Sequence, residues 1–479
     1  MTDRTPDRLS PLSRRELLRG LFLTGSASAL APLLAACDNS AQLLASRPGD
    51  GGGISGELNI PPGPLSNIGP LGPPDADGVA VPEGFTVRAV ARSGTPPVLG
   101  GTYAWHTFPD GGATYERPSG GWIYVSNSEL PAGAGGCGAL VFDPDGTVVD
   151  AYSILSNTAS NCAGGKTPWN TWLSCEEDTN GRVWETDPFG AAGAVEKPAL
   201  GTFAHEAACV DLRQRVLYLT EDEGSSRFYR WVANASDFSE GAQRLALESG
   251  TLQVMNIAGF EDGAYPETEE LRLLRPVSWK DVVRPDEAQS TVRSDLEAAG
   301  QAVPGTQFKG GEGIWFYELP PEVRTVPAGG AVSTRGLVFW STKGDNRIWA
   351  LDIENQLVEI IFDNEQIEPD FDDVDNVTVS PWGDIVVAED LVATGRAIRL
   401  IVVVPNQPAK VLVEATQPGS EFTGPAFSPD GSRLYFSSQR GPTVAGLQAV
   451  LQATLPDVAP GSGLGATYEV LIPEQFRRR

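Results

Sequence analysis

The sequence predicts an all-β fold, a β-propeller, and three observations carry that reading. Short apolar runs recur from end to end, each bounded by Gly, Pro, Asn or Asp. An imperfect unit repeats along the chain. Carboxylates return at the same place in that unit, at the end of a strand.

The N-terminal region lies outside this pattern. Ser13-Arg14-Arg15-Glu16-Leu17-Leu18-Arg19 reads as a twin-arginine export signal, followed by an apolar stretch at 21–36 that Thr24, Gly25 and Pro32 interrupt. A stretch this short and broken is a targeting segment and not a membrane span. It ends in Leu34-Ala35-Ala36-Cys37, a lipoprotein-type cleavage box, so Cys37 is expected to carry lipid; cleavage after an Ala-x-Ala-like site is the alternative. Residues 1–37 are therefore the signal. Residues 38–80, rich in Gly, Pro, Ser and Asn, read as a flexible tether, and 81–479 as the propeller domain. The expected location is periplasmic or cell-surface, with membrane contact through the lipid at Cys37 and a monomeric state.

Within the domain, Gly121-Trp122-Ile123-Tyr124-Val125 is one strand and Ala139-Leu140-Val141-Phe142 another, the latter closed by Asp143-Pro144-Asp145-Gly146. The repeat is visible in three places. His205-Glu206-Ala207-Ala208-Cys209-Val210-Asp211 leads to Leu217-Tyr218-Leu219-Thr220-Glu221-Asp222. Asp375-Asn376-Val377-Thr378-Val379 leads to Ile385-Val386-Val387-Ala388-Glu389-Asp390. Gly424-Pro425-Ala426-Phe427-Ser428 leads to Leu434-Tyr435-Phe436-Ser437-Ser438. The last two units start 49 residues apart, the length of a blade of four short strands. Two segments depart from the unit. Residues 267–300 are charged and lean to helix at 294–299, which predicts an insertion riding outside a blade; 320–331 read as a long loop. Closure is expected from pairing of N- and C-terminal strands, the latter at Tyr468-Glu469-Val470-Leu471-Ile472.

Composition narrows the chemistry. A net charge of −27 argues against nucleic acid as a partner and suits a protein that gathers cations. Only two histidines exist, His106 and His205, which excludes a histidine-rich zinc or copper centre. After Cys37 the cysteines are Cys137, Cys162, Cys175 and Cys209; if Cys162 binds metal, at most one disulfide forms among the other three, in a pairing the spacing leaves open.

The acids at strand ends are Glu176, Glu177, Glu206, Glu221, Asp222, Glu312, Asp375, Glu389 and Asp390, with Asn376 as a neutral oxygen donor. Singly, each reads as a solvated loop carboxylate. Together they form an oxygen-rich set of the kind that hard cations such as Ca²⁺ take. The densest segment is Asn161-Cys162-Ala163-Gly164-Gly165-Lys166-Thr167-Pro168-Trp169-Asn170-Thr171-Trp172-Leu173-Ser174-Cys175-Glu176-Glu177-Asp178. A thiolate aimed inward from a glycine-rich turn, with carboxylates returned by the next strand, makes a mixed sulfur and oxygen site. Taken alone, Cys162 reads equally well as a buried packing residue.

This N-C-A-G-G-x-T-P-W-x-T-W-x-x-C-E-E pattern resembles the signature of the PhoX-type alkaline phosphatases, and the similarity runs from about Val81 onward. The resemblance implies an exported six-bladed propeller with iron and calcium in its central channel. It makes Cys162 the thiolate ligand of iron. It makes Glu176 or Glu177, Glu206, Glu221 or Asp222, Glu312, and Glu389 or Asp390 the surrounding acids. His205 would orient a ligand and not bind. The attacking group would be a metal-bound oxygen, and no Gly-x-Ser-x-Gly elbow offers a serine in its place.

One departure matters. The family carries Arg-Pro immediately before the glutamate that matches Glu312, and that arginine holds phosphate. Here the run is Phe308-Lys309-Gly310-Gly311-Glu312-Gly313, with glycine in the arginine's place. Lys309 is a weak phosphate-contact candidate, a point charge on the opposite face of a strand. Ser160 also replaces the basic residue the family often has before Asn161. Gly310→Arg is expected to restore phosphomonoesterase activity if the backbone there does not need positive φ. The leading function is an exported metal-dependent phosphoric ester hydrolase acting on a small phosphate ester. The alternatives are a calcium propeller lactonase or phosphotriesterase, and a non-catalytic, metal-stabilised surface lipoprotein.

Overall fold

Six strands surround one axis: Pro109–Glu116, Asn161–Lys166, His205–Asp211, Gly311–Glu318, Val374–Val379 and Phe422–Phe427. Each packs against the next in chain order, and the last returns to the first. From each of them the sheet runs outward through antiparallel neighbours, the pairing that short hairpin turns permit. The computed structural model describes residues 54, 56–131, 133–266, 273–363, 371–391, 396–405, 407–415, 420–441 and 465–478. The export signal and Cys37 lie outside them.

Four sheets are separate, propeller-like blades of four or five strands. The expectation of six discrete blades is corrected by the fifth large sheet, which has nine strands. Its cause is Arg275–Asp281. That strand pairs along Gly250–Ile257 on one side, and its first two residues pair with Val358 and Leu357 on the other. Part of the segment expected to ride outside a blade thus stitches two strand runs together. The helix Gln289–Ala298 follows, four-fifths of the way along that segment as its composition predicts.

Chain closure follows the expectation. Thr86–Arg92 pairs antiparallel with Ala466–Leu471, which pairs in turn with Arg433–Ser438. The stretch before Val81 corrects the tether reading for its later half. Leu58, Leu65 and Ile68 are buried, and Val79 and Ala80 pair with Ala415 and Glu414. The Leu65 backbone N–H donates to Asp384 Oδ1 at 2.7 Å. Apolar side chains spaced through a Gly- and Pro-rich stretch are enough to dock it without regular structure.

Two features set the geometry of the axis. Each inner strand carries a register shift near its start, between Pro109 and Gly112, Asn161 and Gly164, His205 and Ala208, Gly311 and Ile314, Val374 and Val377, and Thr423 and Ala426. A bulge bends its strand and re-aims one side chain. Neighbouring inner strands also approach closely: a Cβ on Gly313 would stand 2.4 Å from the Val377 nitrogen, and one on Gly111 2.4 Å from Ala163 Cα. Only glycine fits at these crossings. Beyond the bulges the channel widens into a cavity of about 220 Å³ walled by Gly112, Ala163, Ala207 and Gly313, which offers no carboxylate.

Tyr468 is fully buried in the closing strand and stacks on Phe436 with ring centroids 5.4 Å apart. Tyr468→Ala is expected to destabilise the protein by about 3–5 kcal/mol, the usual cost of emptying a buried aromatic site. A melting temperature within a degree or two of wild type would show that the closing sheet is not a keystone.

Candidate metal centre

The bulged position of each inner strand faces the axis. It holds Asp110, Cys162, Glu206, Glu312 and Asp375 in the first five, with Glu421 just before the sixth. Residues that follow the next strand outward add Glu129, Glu177 and Asp390. Ligand atoms of these residues lie within 4.8 Å of one another in four overlapping groups. These are Asp110, Glu129 and Cys162; Cys162, Glu177 and Glu206; Glu206, Glu312 and Asp375; and Asp375, Asp390 and Glu421.

Cys162 lies in the bulged strand and not in a turn; the turn comes later, at 167–171. A bulge leaves backbone carbonyls without their ladder partners, and side chains from the neighbouring sheet take them. Asn127 Nδ2 donates to the carbonyls of Cys162 and Ala163 at 3.0 and 2.8 Å. Asn127 Oδ1 in turn accepts from Trp172 Nε1 and Ser174 Oγ, each at 2.9 Å. The Trp and Ser of the cysteine motif thus brace the strand that aims the sulfur. Thr220 serves the Glu312 carbonyl in the same way, at 2.5 Å, and Ser341 that of Asp375.

Three expected acids are elsewhere. Glu176 accepts the backbone N–H groups of Ala159 and Arg182 at 3.0 and 3.1 Å. Glu221 is gripped by both Arg293 Nη atoms at 2.9 and 3.1 Å, with Tyr229 Oη and the Arg227 N–H also donating. Glu389 is forked by Arg399 at 2.7 and 2.8 Å. In each case the next residue, Glu177, Asp222 or Asp390, turns to the axis, because successive residues of a strand face opposite ways. Asp222 stands beside Glu177 and outside the four groups. Asn376 spends its side-chain oxygen on the Gly424 N–H, at 2.7 Å. The His205 ring lies tilted against Phe203 with centroids 3.6 Å apart and Nε2 3.4 Å from the Gly201 carbonyl, and burial pushes its pKa down to about 3. Lys309 places its ammonium over the Tyr265 ring at 4.0 Å, not among the acids. The Gly310 backbone has φ +65°, and a Cβ there would sit 2.9 Å from Asp222 Oδ1. The position therefore resists Gly310→Arg, and the expected gain of activity from that substitution is withdrawn.

Sequence reasoning missed Asp110, Glu129, Glu421 and Lys343. Asp110-Gly111-Gly112 carries the same acid-then-small pattern as Glu312-Gly313, and that was its available signal. Cys137, Cys162, Cys175 and Cys209 are all buried and unpaired, so the one possible disulfide does not form.

The electrostatics call for a cation. Burial raises the carboxyl pKa of Asp110, Glu177, Glu206, Glu312 and Glu421 well above the usual range, and the neighbouring acids raise it further. The Cys162 thiol is pushed up by the same two causes. Both carboxylate oxygens of Glu206 are buried without a hydrogen-bond partner. A thiol and acids in this state fit a metal ion, which removes the mutual repulsion and replaces the missing partners.

The sequence profile of the family Alkaline phosphatase PhoX matches residues 147–321 and 341–441, more than half of the chain. The chain belongs to that family. Membership makes it a phosphoric ester hydrolase. The solved PhoX of Pseudomonas fluorescens, in complex with the transition state analogue vanadate, shares the fold with a TM-score of 0.61 at 16% identity. It covers 86% of this chain and 99% of its own. A gluconolactonase from Xanthomonas campestris aligns at a TM-score of 0.41 and 12% identity over 85% of this chain and 98% of its own. No curated protein sequence matches this PhoX family member significantly.

Two outcomes follow for this PhoX family member. A carboxyl group whose folded pKa is raised stabilises the folded state below the ordinary carboxylate range and loses that contribution as pH climbs through the folded value. Metal-free protein should therefore melt at falling temperature as pH rises from about 4 toward 8. Added Ca²⁺ should reverse the loss, and Glu206→Gln should flatten the slope; a metal-free melting curve that rises with pH contradicts the assignment. Separately, Glu221→Gln should cost about 3–5 kcal/mol by stranding Arg293. Elemental analysis should find its metal content unchanged, whereas Glu206→Gln should lower it.

Proposed function

We propose that this chain is an exported, metal-dependent phosphatase of the PhoX type, with iron and calcium as its metals. One observation carries the reading. Cys162 stands at the junction of two ligand groups, with Asp110 and Glu129 on one side and Glu177 and the unpartnered Glu206 on the other. A thiolate among oxygen donors suits iron, and the hard oxygen set suits Ca²⁺. A calcium-only lactonase has no use for the thiolate.

Bound there, the metals would neutralise charge on the phosphate oxygens and lower the pKa of water. The chain's own residues do the rest. Cys162, Asp110, Glu129, Glu177 and Glu206 would hold the ions, and Asn127 fixes the backbone that aims the sulfur. Gln439 Nε2 bridges Asp110 Oδ2 and Glu129 Oε2 at 2.6 and 2.7 Å and keeps both carboxylates turned to the axis. With glycine at 310, the forked arginine contact to phosphate is missing. Such a contact is worth about 2–4 kcal/mol, or roughly 30- to 1,000-fold in catalytic efficiency. The phosphomonoesterase activity is accordingly weak, or directed to another phosphate ester.

The nine-stranded sheet counts as two blades in this reading, which makes the propeller six-bladed. Export by the twin-arginine route, a lipid on Cys37, a periplasmic or cell-surface location and a monomeric state complete the proposal. The export route, the lipid and the location rest on the sequence of residues 13–37.

Protein produced through that export route should contain iron and hydrolyse p-nitrophenyl phosphate in the presence of Ca²⁺. Cys162→Ala should lose both the iron and the activity. Iron-free, calcium-loaded protein with full activity would sink the thiolate assignment, and metal-replete protein without turnover of any phosphate ester would sink the enzymatic one.

A further inference from the structure

The ring of acids is not electrically uniform. On one side, the Lys343 ammonium lies 3.0 Å from Asp375 Oδ2, 3.2 Å from Glu312 Oε1 and 3.2 Å from Asp390 Oδ2. The Arg440 guanidinium adds an ion pair to Glu421 at 2.9 Å. All four acids belong to the two ligand groups centred on Asp375. On the other side, no lysine or arginine ion pair touches Asp110, Glu129, Cys162, Glu177 or Glu206 among the described residues. Both Glu206 oxygens lack a hydrogen-bond partner, as does Glu312 Oε1, but only Glu312 has the ammonium within ion-pair distance.

An ammonium at about 3 Å from three carboxylates occupies the position a hard cation would take, since such ions gather several carboxylate oxygens at about 2.3–2.6 Å. It is tethered, so it has no dissociation constant to satisfy. Its reach is set by the fold. Lys343 directly follows the strand Gly336–Thr342, whereas the matching strands beside four other inner strands are followed by Glu129, Glu177, Asp222 and Asp390. One blade therefore contributes a cation where its neighbours contribute acids. The backbone there is pinned as well, because the Lys343 N–H donates to the Gly310 carbonyl at 2.9 Å.

We propose that Lys343 is a built-in cation that closes the Glu312–Asp375–Asp390 side of the channel to metal, and that removing its charge opens a site for one divalent, oxygen-preferring ion of the Ca²⁺ class. The inference rests on the metal-dependent reading of the Cys162 side. Metal then loads asymmetrically, on Cys162 and its neighbours alone.

Metal-to-protein ratios of the exported protein decide it, measured after dialysis against Ca²⁺. Lys343→Met, which keeps length and loses charge, should bind one more Ca²⁺ per chain than wild type, and Lys343→Arg should keep the wild-type ratio. Asp390→Asn in an otherwise wild-type chain should leave the ratio unchanged, because its partner is the lysine. A Lys343→Met ratio equal to or below wild type overturns the inference, as does loss of one ion in Asp390→Asn. Should Lys343→Met fail to fold, the Asp390→Asn ratio alone decides. Wild-type protein that binds no metal would overturn both this inference and the functional reading, whereas a metal-loaded wild type with no gain in Lys343→Met overturns this one only.

Discussion

The structure depends on keeping eight carboxylates and a thiol together around one axis, largely out of water. Like charges at such distances cannot all ionise. The fold meets this with tethered cations on the Asp375 side and, on the Cys162 side, a set of donors that a metal would satisfy. The strands around the axis serve both. The bulges turn one side chain per inner strand inward, the glycines let those strands approach, and Asn127, Thr220 and Ser341 take up the carbonyls the bulges release.

The same constraint explains why some acids at strand ends are structural. Glu221 and Glu389 each end a strand and each meet an arginine in a two-pronged contact. A fork of that kind fixes the carboxylate's orientation as well as its charge. It locks the end of the strand, and the following residue then enters the channel in a defined direction. Arg293 comes from the helix in the 267–300 segment, so the segment expected to ride outside a blade braces a strand end beside the site. An isolated buried ion pair adds little net stability; its value here is positional.

How much of this the sequence displayed varies by element. The all-β character followed from the short bounded runs, and the closing strand from the apolar pattern at 468–472. Cys162, Glu206 and Asp375 were legible because each opens a repeat unit or sits in the cysteine motif, and Glu312 because it matches the glutamate of the family pattern. The choice within Glu221-Asp222 and Glu389-Asp390 was not, since adjacent residues of a strand face opposite ways and the register decides which one. Arg293 and Arg399, which mark the structural member of each pair, are distant or unremarked in the sequence. Asp110 and Glu129 lie in a stretch where the repeat is too degraded to align, and Lys343 stands at a position that carries an acid beside four of the other five inner strands and Gln439 beside the fifth. The fusion of two strand runs by Arg275–Asp281 was not legible, because only Val277 and Trp279 mark the strand's packed face and that pattern does not say which strands it joins.

That exception at Lys343 bears on the missing arginine. A cation at residue 310 would have stood beside Asp222 and Glu312, the same quarter of the channel that the Lys343 ammonium reaches. In this chain Lys343 carries the positive charge of that quarter. The two carriers are not equivalent. An arginine fork has hydrogen-bond donors to spare for an anion, whereas an ammonium already shared by three carboxylates has none free. Lys343 therefore balances the acid ring without offering a free donor to an anion.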